Sequence, residues 1–170
     1  FGYGGWPVTG GGWASYYIEE MVGHAQAQQA LLISMIFEGV FERFPNLRVV
    51  LVEAGLAWGA SLMWRMDRQF EKLRRETPHL KMKPSEYMKR NVWFTTQPVE
   101  EPEPRIHLAE AIEWIGHDRI LFATDYPHWD FDLPSTIYDL PFLSEKAKHN
   151  ILGGTAARLF KLPPRNEKQK

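Results

Sequence analysis

The sequence contains no cysteine. Disulfide bonds and thiolate metal ligands are therefore excluded, and any metal ion must be bound by histidine, aspartate or glutamate. The sequence also lacks any run of about 18 consecutive apolar residues, so we expect no transmembrane span. The formal net charge is only −1, which gives no electrostatic reason to expect a nucleic acid or an anionic membrane as partner.

The chain does not begin with methionine, and its first residues are typical of neither a signal peptide nor a transit peptide. We expect a cytoplasmic chain that opens within a longer protein, as a fragment or a processed product would. Residues 1–15 hold six glycines interleaved with aromatic residues, so a regular element is not expected there. Two interpretations stay open for this glycine-rich segment: a frayed terminus, or a loop that carries aromatic side chains such as Trp6 over a pocket.

Three short apolar runs, at residues 49–52, 92–97 and 120–123, predict buried β-strands. Apolar residues at helical spacing predict helices before, between and after these strands. The expected helices cover residues 24–44, 58–76, 85–90 with Ser85 as cap, 106–115, and 144–152 with Ser144 as cap. This alternation predicts an α/β fold with a parallel sheet whose strands follow their order in the chain. The charged tail at 163–170 is expected to be disordered.

Polar side chains stand at the end of each predicted strand: Glu53, residues 95–97, and residues 124–128. The carboxyl ends of parallel strands lie at one edge of a sheet, where ligands bind in folds of this class. We therefore expect Glu53, Asp125 and His128 to share a cavity. The alternatives remain open that Asp125 bonds nearby backbone amides, that Glu53 faces a helix N-terminus, and that His128 is a hydrogen-bonded loop residue.

The other five histidines give no comparable signal. We expect His24 at the start of a helix, His79 in a loop, His117 just after a helix, and His107 and His149 on helix surfaces. None of these positions predicts a ligand.

Five segments of the chain carry a specific pattern: FEGVFERFPN at 37–46, VVLVEAG at 49–55, FTT at 94–96, ILFATDYPH at 120–128 and ILGGTAARLF at 151–160. In order and spacing they resemble an amidohydrolase-related family (amidohydrolase 2) of metal-dependent hydrolases, which includes aminocarboxymuconate-semialdehyde decarboxylase. The resemblance covers almost the whole chain. It implies that residues 16–162 form the C-terminal portion of a TIM (β/α)8 barrel, with strands six, seven and eight at the three predicted strands.

The resemblance also implies the roles of individual residues. Asp125 matches the strand-eight aspartate that binds a divalent metal ion. Zinc is the metal expected first and manganese is the second candidate. The remaining ligands would lie before Phe1. Asp125 and Glu53 are the expected catalytic residues. The residues expected to contact substrate are His128, Trp129, Trp6 and Trp58. Decarboxylases of the family carry a histidine where Glu53 stands, and a carboxylate does not donate a proton as an imidazolium does.

Two functions from different classes follow from the resemblance. The chain is expected to be the C-terminal part of a metal-dependent hydrolase or decarboxylase that acts on a small, aromatic or unsaturated carboxylate. The alternative is a non-catalytic truncated barrel that serves as a folded assembly module. In either case three strands leave exposed sheet edges, so we expect a homo-oligomer or association with a missing N-terminal half.

Overall fold

A computed structural model describes residues 12–163 of the chain. Trp6, most of the glycine-rich segment and the tail from residue 164 onward lie outside the described residues. The helices are α1 Tyr17–Phe37, α2 Val40–Arg43, α3 Trp58–Lys72, α4 Pro84–Asn91, α5 Ile106–Ile115, α6 Ser135–Tyr138, α7 Glu145–His149 and α8 Thr155–Leu159. The strands are β1 Val49–Leu51, β2 Val92–Thr95 and β3 Ile120–Leu121. No helix within residues 12–163 is long and apolar enough to cross a membrane.

The three strands form one parallel sheet in the order β1-β2-β3. Val49 pairs with Val92, and Phe94 pairs with Ile120. The predicted strand order is confirmed, because each strand returns through a helix to the neighbouring position. All three strands are shorter than predicted, since β1 ends before Val52, β2 before Thr96 and β3 before Phe122.

Most of the core lies on the face of the sheet that α1, α3, α4 and α5 cover. Phe94 and Ile120 are almost fully buried there, together with Met63 of α3, Met88 of α4 and Ile112 of α5. A second, smaller cluster of Trp93, Leu121 and Leu159 also packs onto the sheet. Neighbouring residues of one strand point to opposite faces, so Trp93 and Leu121 lie on the face away from the main core.

Helices α1 and α4 show three of the differences from the predicted helix boundaries; in addition, α3 ends at Lys72 rather than at residue 76, and α7 at His149 rather than at residue 152. Helix α1 begins at Tyr17, seven residues before His24, and Glu19 accepts hydrogen bonds from the backbone N–H groups of Ser15 and Tyr16 at its start. It ends at Phe37 because Gly39 adopts a left-handed conformation, with φ of 74°.

Helix α4 provides the third difference, because it begins at Pro84 with Lys83 as its N-cap. Ser85 is therefore not the cap, and its hydroxyl donates to Asp67 instead. The predicted cap at Ser144 is confirmed, since its Oγ accepts a hydrogen bond from the backbone N–H of Ala147.

Candidate metal and substrate site

The loops that follow β1 and β3 bring three metal-binding side chains together. Glu53, Asp125 and His128 each offer one ligand atom, and these atoms all lie within 4.8 Å of one another. Ligands of one metal ion at about 2.0–2.2 Å from it lie within this separation of each other. The donor set of two carboxylates and one imidazole contains no thiolate and suits manganese or zinc, so the residues fit a divalent ion.

Asp125 and His128 are joined by a tight turn. The backbone N–H of His128 donates to the carbonyl oxygen of Asp125 at 2.9 Å. The same turn places His128 Nδ1 at 2.7 Å from Asp125 Oδ2. This contact joins an exposed imidazole to a largely shielded carboxylate.

Glu53 is held from the neighbouring strand. Its backbone N–H donates to Thr95 Oγ1 at 3.3 Å, and that hydroxyl lies 3.4 Å from the carbonyl oxygen of Leu51. Gln28 of α1 donates to the carbonyl oxygen of Val52 at 2.5 Å. These contacts fix the peptide unit between Val52 and Glu53 at the end of β1.

The three side chains open onto a cavity of about 340 Å³. Among residues 12–163, its polar lining includes four carboxylates and two imidazoles but no lysine or arginine; the acidic and imidazole residues are Glu20, Glu53, Asp125, Asp130, His24 and His128. An anionic substrate is repelled by such a wall unless a cation is present. The composition of the cavity is therefore consistent with a metal ion as part of the site.

A second cavity of about 520 Å³ lies beside the first and is mainly apolar. The two cavities share part of their lining, including Tyr17, Met21, His24, Glu53 and Trp129. Trp129, which lines both cavities, is 78% exposed. The polar cavity and the apolar cavity therefore adjoin. This arrangement suits a ligand that carries a charged group on an apolar ring.

The structure brings most, but not all, of the predicted site residues to the cleft. Glu53, Asp125, His128 and Trp129 line the cleft as expected. Trp58 does not: its ring packs edge-on against Phe94 of the core, with 5.4 Å between centroids, and its Nε1 donates to the carbonyl oxygen of Ala54. A substrate contact by Trp58 is therefore not supported, because the first turn of α3 points this ring toward the sheet.

His24 and Gln97 are among the cleft residues that were not predicted from the sequence. His24 lines both cavities, and Gln97 at the end of β2 lines the polar one. Tyr17, Met21 and His24 recur at the i, i+4, i+7 spacing of one helix face, so a correct start for α1 would have placed His24 beside Met21. Gln97 follows the central strand, and its position between two carboxylate-bearing strand ends was a further available signal.

Comparison with known proteins places this geometry in a family. A family model described as "Amidohydrolase" matches residues 4–162. Gamma-resorcylate decarboxylase from Rhizobium sp. (strain MTP-10005) is 31% identical over 165 residues, which is 94% of this chain and 46% of that protein. The chain therefore belongs to the amidohydrolase family, and it spans less than half the length of this curated relative.

Solved structures agree with this assignment. The 5-carboxyvanillate decarboxylase from Sphingomonas paucimobilis superposes with a TM-score of 0.65 at 31% identity, covering 82% of this chain and 41% of that one. A dihydroxybenzoic acid decarboxylase from Polaromonas sp. JS666, with bound manganese and the inhibitor 2-nitroresorcinol, gives a TM-score of 0.53 at 28% identity, covering 88% and 42%. Relatives of this chain are thus aromatic-acid decarboxylases, and one of them binds manganese.

Proposed function

We propose that the chain is the C-terminal part of a metal-dependent decarboxylase of aromatic carboxylates. In this proposal residues 16–162 correspond to strands six to eight of a TIM (β/α)8 barrel and their helices. The observation that carries the proposal is the convergence of Glu53, Asp125 and His128 within 4.8 Å at the carboxyl ends of parallel strands. That edge of the sheet is where barrel enzymes of this fold place their active sites.

Asp125 and Glu53 are the residues of this chain that would hold the divalent ion, zinc or manganese, and His128 lies beside them, hydrogen-bonded to Asp125. When bound, such an ion supplies positive charge that polarises a substrate carboxylate and offsets the negative wall of the cavity. The family resemblance implies further ligands from outside this chain. We expect this chain to contribute one oxygen ligand, Asp125, with Glu53 and His128 beside it.

Decarboxylation breaks the bond between the ring carbon and the carboxylate. The electron pair stays on the ring carbon, which then takes up a proton, and carbon dioxide leaves. In this proposal the imidazole of His128, which lies 2.7 Å from Asp125 Oδ2 through Nδ1, is the proton donor. Glu53 stands where related decarboxylases carry a histidine, and a carboxylate does not supply that acid function. In this proposal the imidazole hydrogen-bonded to Asp125 supplies it instead.

The apolar cavity explains the choice of an aromatic substrate. A ring that packs against Met21, Val22 and Trp129 would place its carboxylate toward Asp125 in the adjoining polar cavity. The substrate partner is therefore a small molecule with one anionic group. Hydrolysis remains the second candidate, because Glu53 can accept a proton from an attacking water molecule.

The test is to complete the barrel with the amino-terminal part of the Rhizobium relative that this chain does not cover. The two segments are co-expressed, supplied with manganese and assayed for release of carbon dioxide from gamma-resorcylate. We expect release that is lost in Asp125→Asn and kept in Asp139→Asn, a change at the exposed end of α6. An assembled complex without carbon dioxide release contradicts the decarboxylase proposal. Cleavage of an ester or amide by that complex would favour hydrolysis, and no activity at all would favour a non-catalytic module.

A further inference from the structure

A cavity of about 500 Å³ lies at the opposite end of the strands from Glu53 and Asp125. The residue that precedes each strand lines this cavity: Arg48 before β1, Asn91 before β2 and Arg119 before β3. We call it the amino-end cavity. The three parallel strands therefore begin at the amino-end cavity and end at the cleft that carries the candidate metal site.

The charge of the amino-end cavity is opposite to that of the cleft. Four arginines line it, and among residues 12–163 only one carboxylate, Asp118, does so; the arginines are Arg48, Arg90, Arg119 and Arg158. Four positive charges and one negative charge leave an excess of three positive charges. The polar cavity of the cleft has four carboxylates and no lysine or arginine among the same residues. An anion is therefore attracted to the amino ends of the strands.

Two of the guanidinium groups are held at the cavity wall by hydrogen bonds. Arg48 Nη1 donates to the carbonyl oxygen of Leu159 at 2.8 Å, and Arg90 Nε donates to Asn91 Oδ1 at 2.8 Å. Leu159 and Asn91 both line the cavity themselves, so these contacts place the charged groups beside it. Arg48 and Arg90 are exposed, so a ligand from solvent can reach them.

The other two guanidinium groups also contact residues of the cavity wall. Arg158 Nη2 donates to Thr155 Oγ1 at 3.4 Å, and Arg158 is exposed. The guanidinium carbon of Arg119 lies 4.7 Å from the centroid of the Trp93 ring. Thr155 and Trp93 line the cavity. All four positive groups are therefore at its surface.

Three of these positive charges are not compensated by a carboxylate. Within residues 12–163, Arg48, Arg90 and Arg158 form no ion pair within 4.0 Å, and Arg119 has only Asp118 at 4.0 Å. A guanidinium group has five N–H donors, and each of the three donates at most three hydrogen bonds to these residues, all to uncharged acceptors. The head groups are thus oriented, and they keep both charge and donors for a ligand.

We propose that the amino-end cavity binds a phosphate group. Guanidinium groups match the oxygens of a phosphate, to which two parallel N–H groups can donate. A phosphate dianion also balances the positive excess better than a monoanion such as chloride. The volume lies in the range of small-molecule sites, so the cavity admits a phosphate ester as well as the free ion. This inference goes beyond the proposed function, because it uses none of the cleft residues.

The experiment is isothermal titration calorimetry of the 170-residue chain with inorganic phosphate, after passage over a chelating resin to exclude binding through a metal ion. We expect saturable binding of one phosphate per chain, weakened by added sodium chloride. Arg48→Gln and Arg158→Gln should each weaken it at least tenfold, about 1.4 kcal/mol. Arg75→Gln, at an exposed position after α3, is the matched control and should bind phosphate as the unsubstituted chain does.

A variant with the opposite expected effect guards against a folding defect. Asp118→Asn removes a carboxylate from the cavity wall and should tighten phosphate binding severalfold, which a loss of folding cannot produce. Glucose 6-phosphate and glucose identify the source of the phosphate group. Binding of glucose 6-phosphate that is tighter than that of inorganic phosphate, without binding of glucose, assigns the site to phosphate esters. Equal binding of the two phosphates assigns it to the free ion.

Three results overturn the inference and leave the proposed function intact. The first is the absence of saturable phosphate binding to the unsubstituted chain. The second is equal phosphate affinity in the Arg48→Gln, Arg158→Gln and Arg75→Gln chains, with folding checked by circular dichroism. The third is loss of phosphate binding when the chain is assembled with the amino-terminal part of the Rhizobium relative, because the cavity is then a contact surface for that segment.

Discussion

Glu53 and Asp125 adopt left-handed backbone conformations, each with φ of 57°. Lys161 is the only other non-glycine residue with positive φ in the part of the chain that is described. Such conformations cost about 1–3 kcal/mol each and persist where surrounding contacts determine them. The backbone conformations of both candidate ligands therefore cost free energy. The hydrogen bond to Thr95 maintains the conformation of Glu53, and the turn to His128 maintains that of Asp125.

Replacement of Glu53 by glycine tests whether this cost serves binding. Glycine adopts positive φ without strain, so Glu53→Gly should raise the unfolding free energy by up to about 1 kcal/mol. The same change removes a ligand and should weaken manganese binding. Lys161→Gly is the matched control at the same φ, and it should stabilise the fold without affecting the metal. Urea denaturation and metal titration measure both effects; a Glu53→Gly chain with unchanged manganese affinity would contradict the role of Glu53.

Asp132 provides a residue-scale prediction about pH. Burial raises the pKa of its carboxyl group, the hydrogen bond from Thr136 partly offsets this, and the charges of Glu101 and Asp130 raise it further. Because the folded-state pKa lies above the unfolded value, the ionised form destabilises the fold at neutral pH, and this loss disappears as pH falls below the unfolded pKa of about 3.9. Asp132→Asn should therefore raise the melting temperature at pH 7 and leave it unchanged near pH 3. Equal effects at both pH values would show that charge is not the cause.

At the scale of elements, one carboxylate fixes the connection between β1 and α3. Glu100 accepts hydrogen bonds from the backbone N–H of Leu56 with both oxygens, at 3.0 and 3.1 Å, and from that of Ala57 at 3.0 Å. It stands at the N-terminus of α3, where a negative charge is favoured. Gly55 permits this approach, since a Cβ there would lie 2.5 Å from Glu100 Oε1. The loop that carries Glu53 is thus held by a residue from the connection after β2.

Removal of Glu100 should release that loop. Glu100→Ala leaves three hydrogen bonds to N–H groups unmade, and we expect a loss of about 1.5–3 kcal/mol in unfolding free energy. Glu113→Ala, on the exposed face of α5, is the control and should change stability by less than about 0.5 kcal/mol. Urea denaturation of both variants gives the comparison. A Glu100→Ala chain as stable as the control would mean that other contacts hold residues 53–57.

The elements differ in how well the sequence predicts them. The strands and their order follow from apolar runs that alternate with helices, and α5 has the predicted bounds because its apolar stripe is regular. Helix α1 was placed too late because its first turns expose Tyr17, Ile18 and Val22, so no buried stripe marks them. The contact of Trp58 with Phe94 could not be inferred from sequence, because aromatic content does not reveal which way a helix turns its ring. Gln97 Oε1 has no hydrogen-bond donor among residues 12–163. This feature depends on tertiary contacts and cannot be inferred from sequence.

At the scale of the whole molecule, the sheet is open on both sides. β1 and β3 each pair with β2 alone, so both have one row of backbone groups without a strand partner among the described residues. Val52 and Leu47 near β1 are exposed, as are Tyr17, Ile18 and Val22 of α1. Exposed edges of this kind attract further strands, and clustered exposed apolar residues mark interaction surfaces.

We therefore predict that the 170-residue chain self-associates or binds a segment that completes its sheet. Size-exclusion chromatography with light scattering should give a mass above 19.8 kDa for the isolated chain. Co-expression with the amino-terminal part of the Rhizobium relative should suppress self-association, since that segment would cover the same edges. A monodisperse monomer with cooperative melting would contradict this prediction.

The most direct test of the account is manganese binding to the chain itself. Electron paramagnetic resonance or calorimetry should show saturable binding of one Mn²⁺ per chain. We expect Asp125→Asn to weaken this binding at least tenfold, about 1.4 kcal/mol, because the amide loses the charge that holds the ion. Asp139→Asn, exposed at the end of α6, should bind Mn²⁺ as the unsubstituted chain does. Equal Mn²⁺ affinity in the Asp125→Asn and unsubstituted chains, or no saturable binding to either, would contradict the assignment of Glu53, Asp125 and His128 as a metal site.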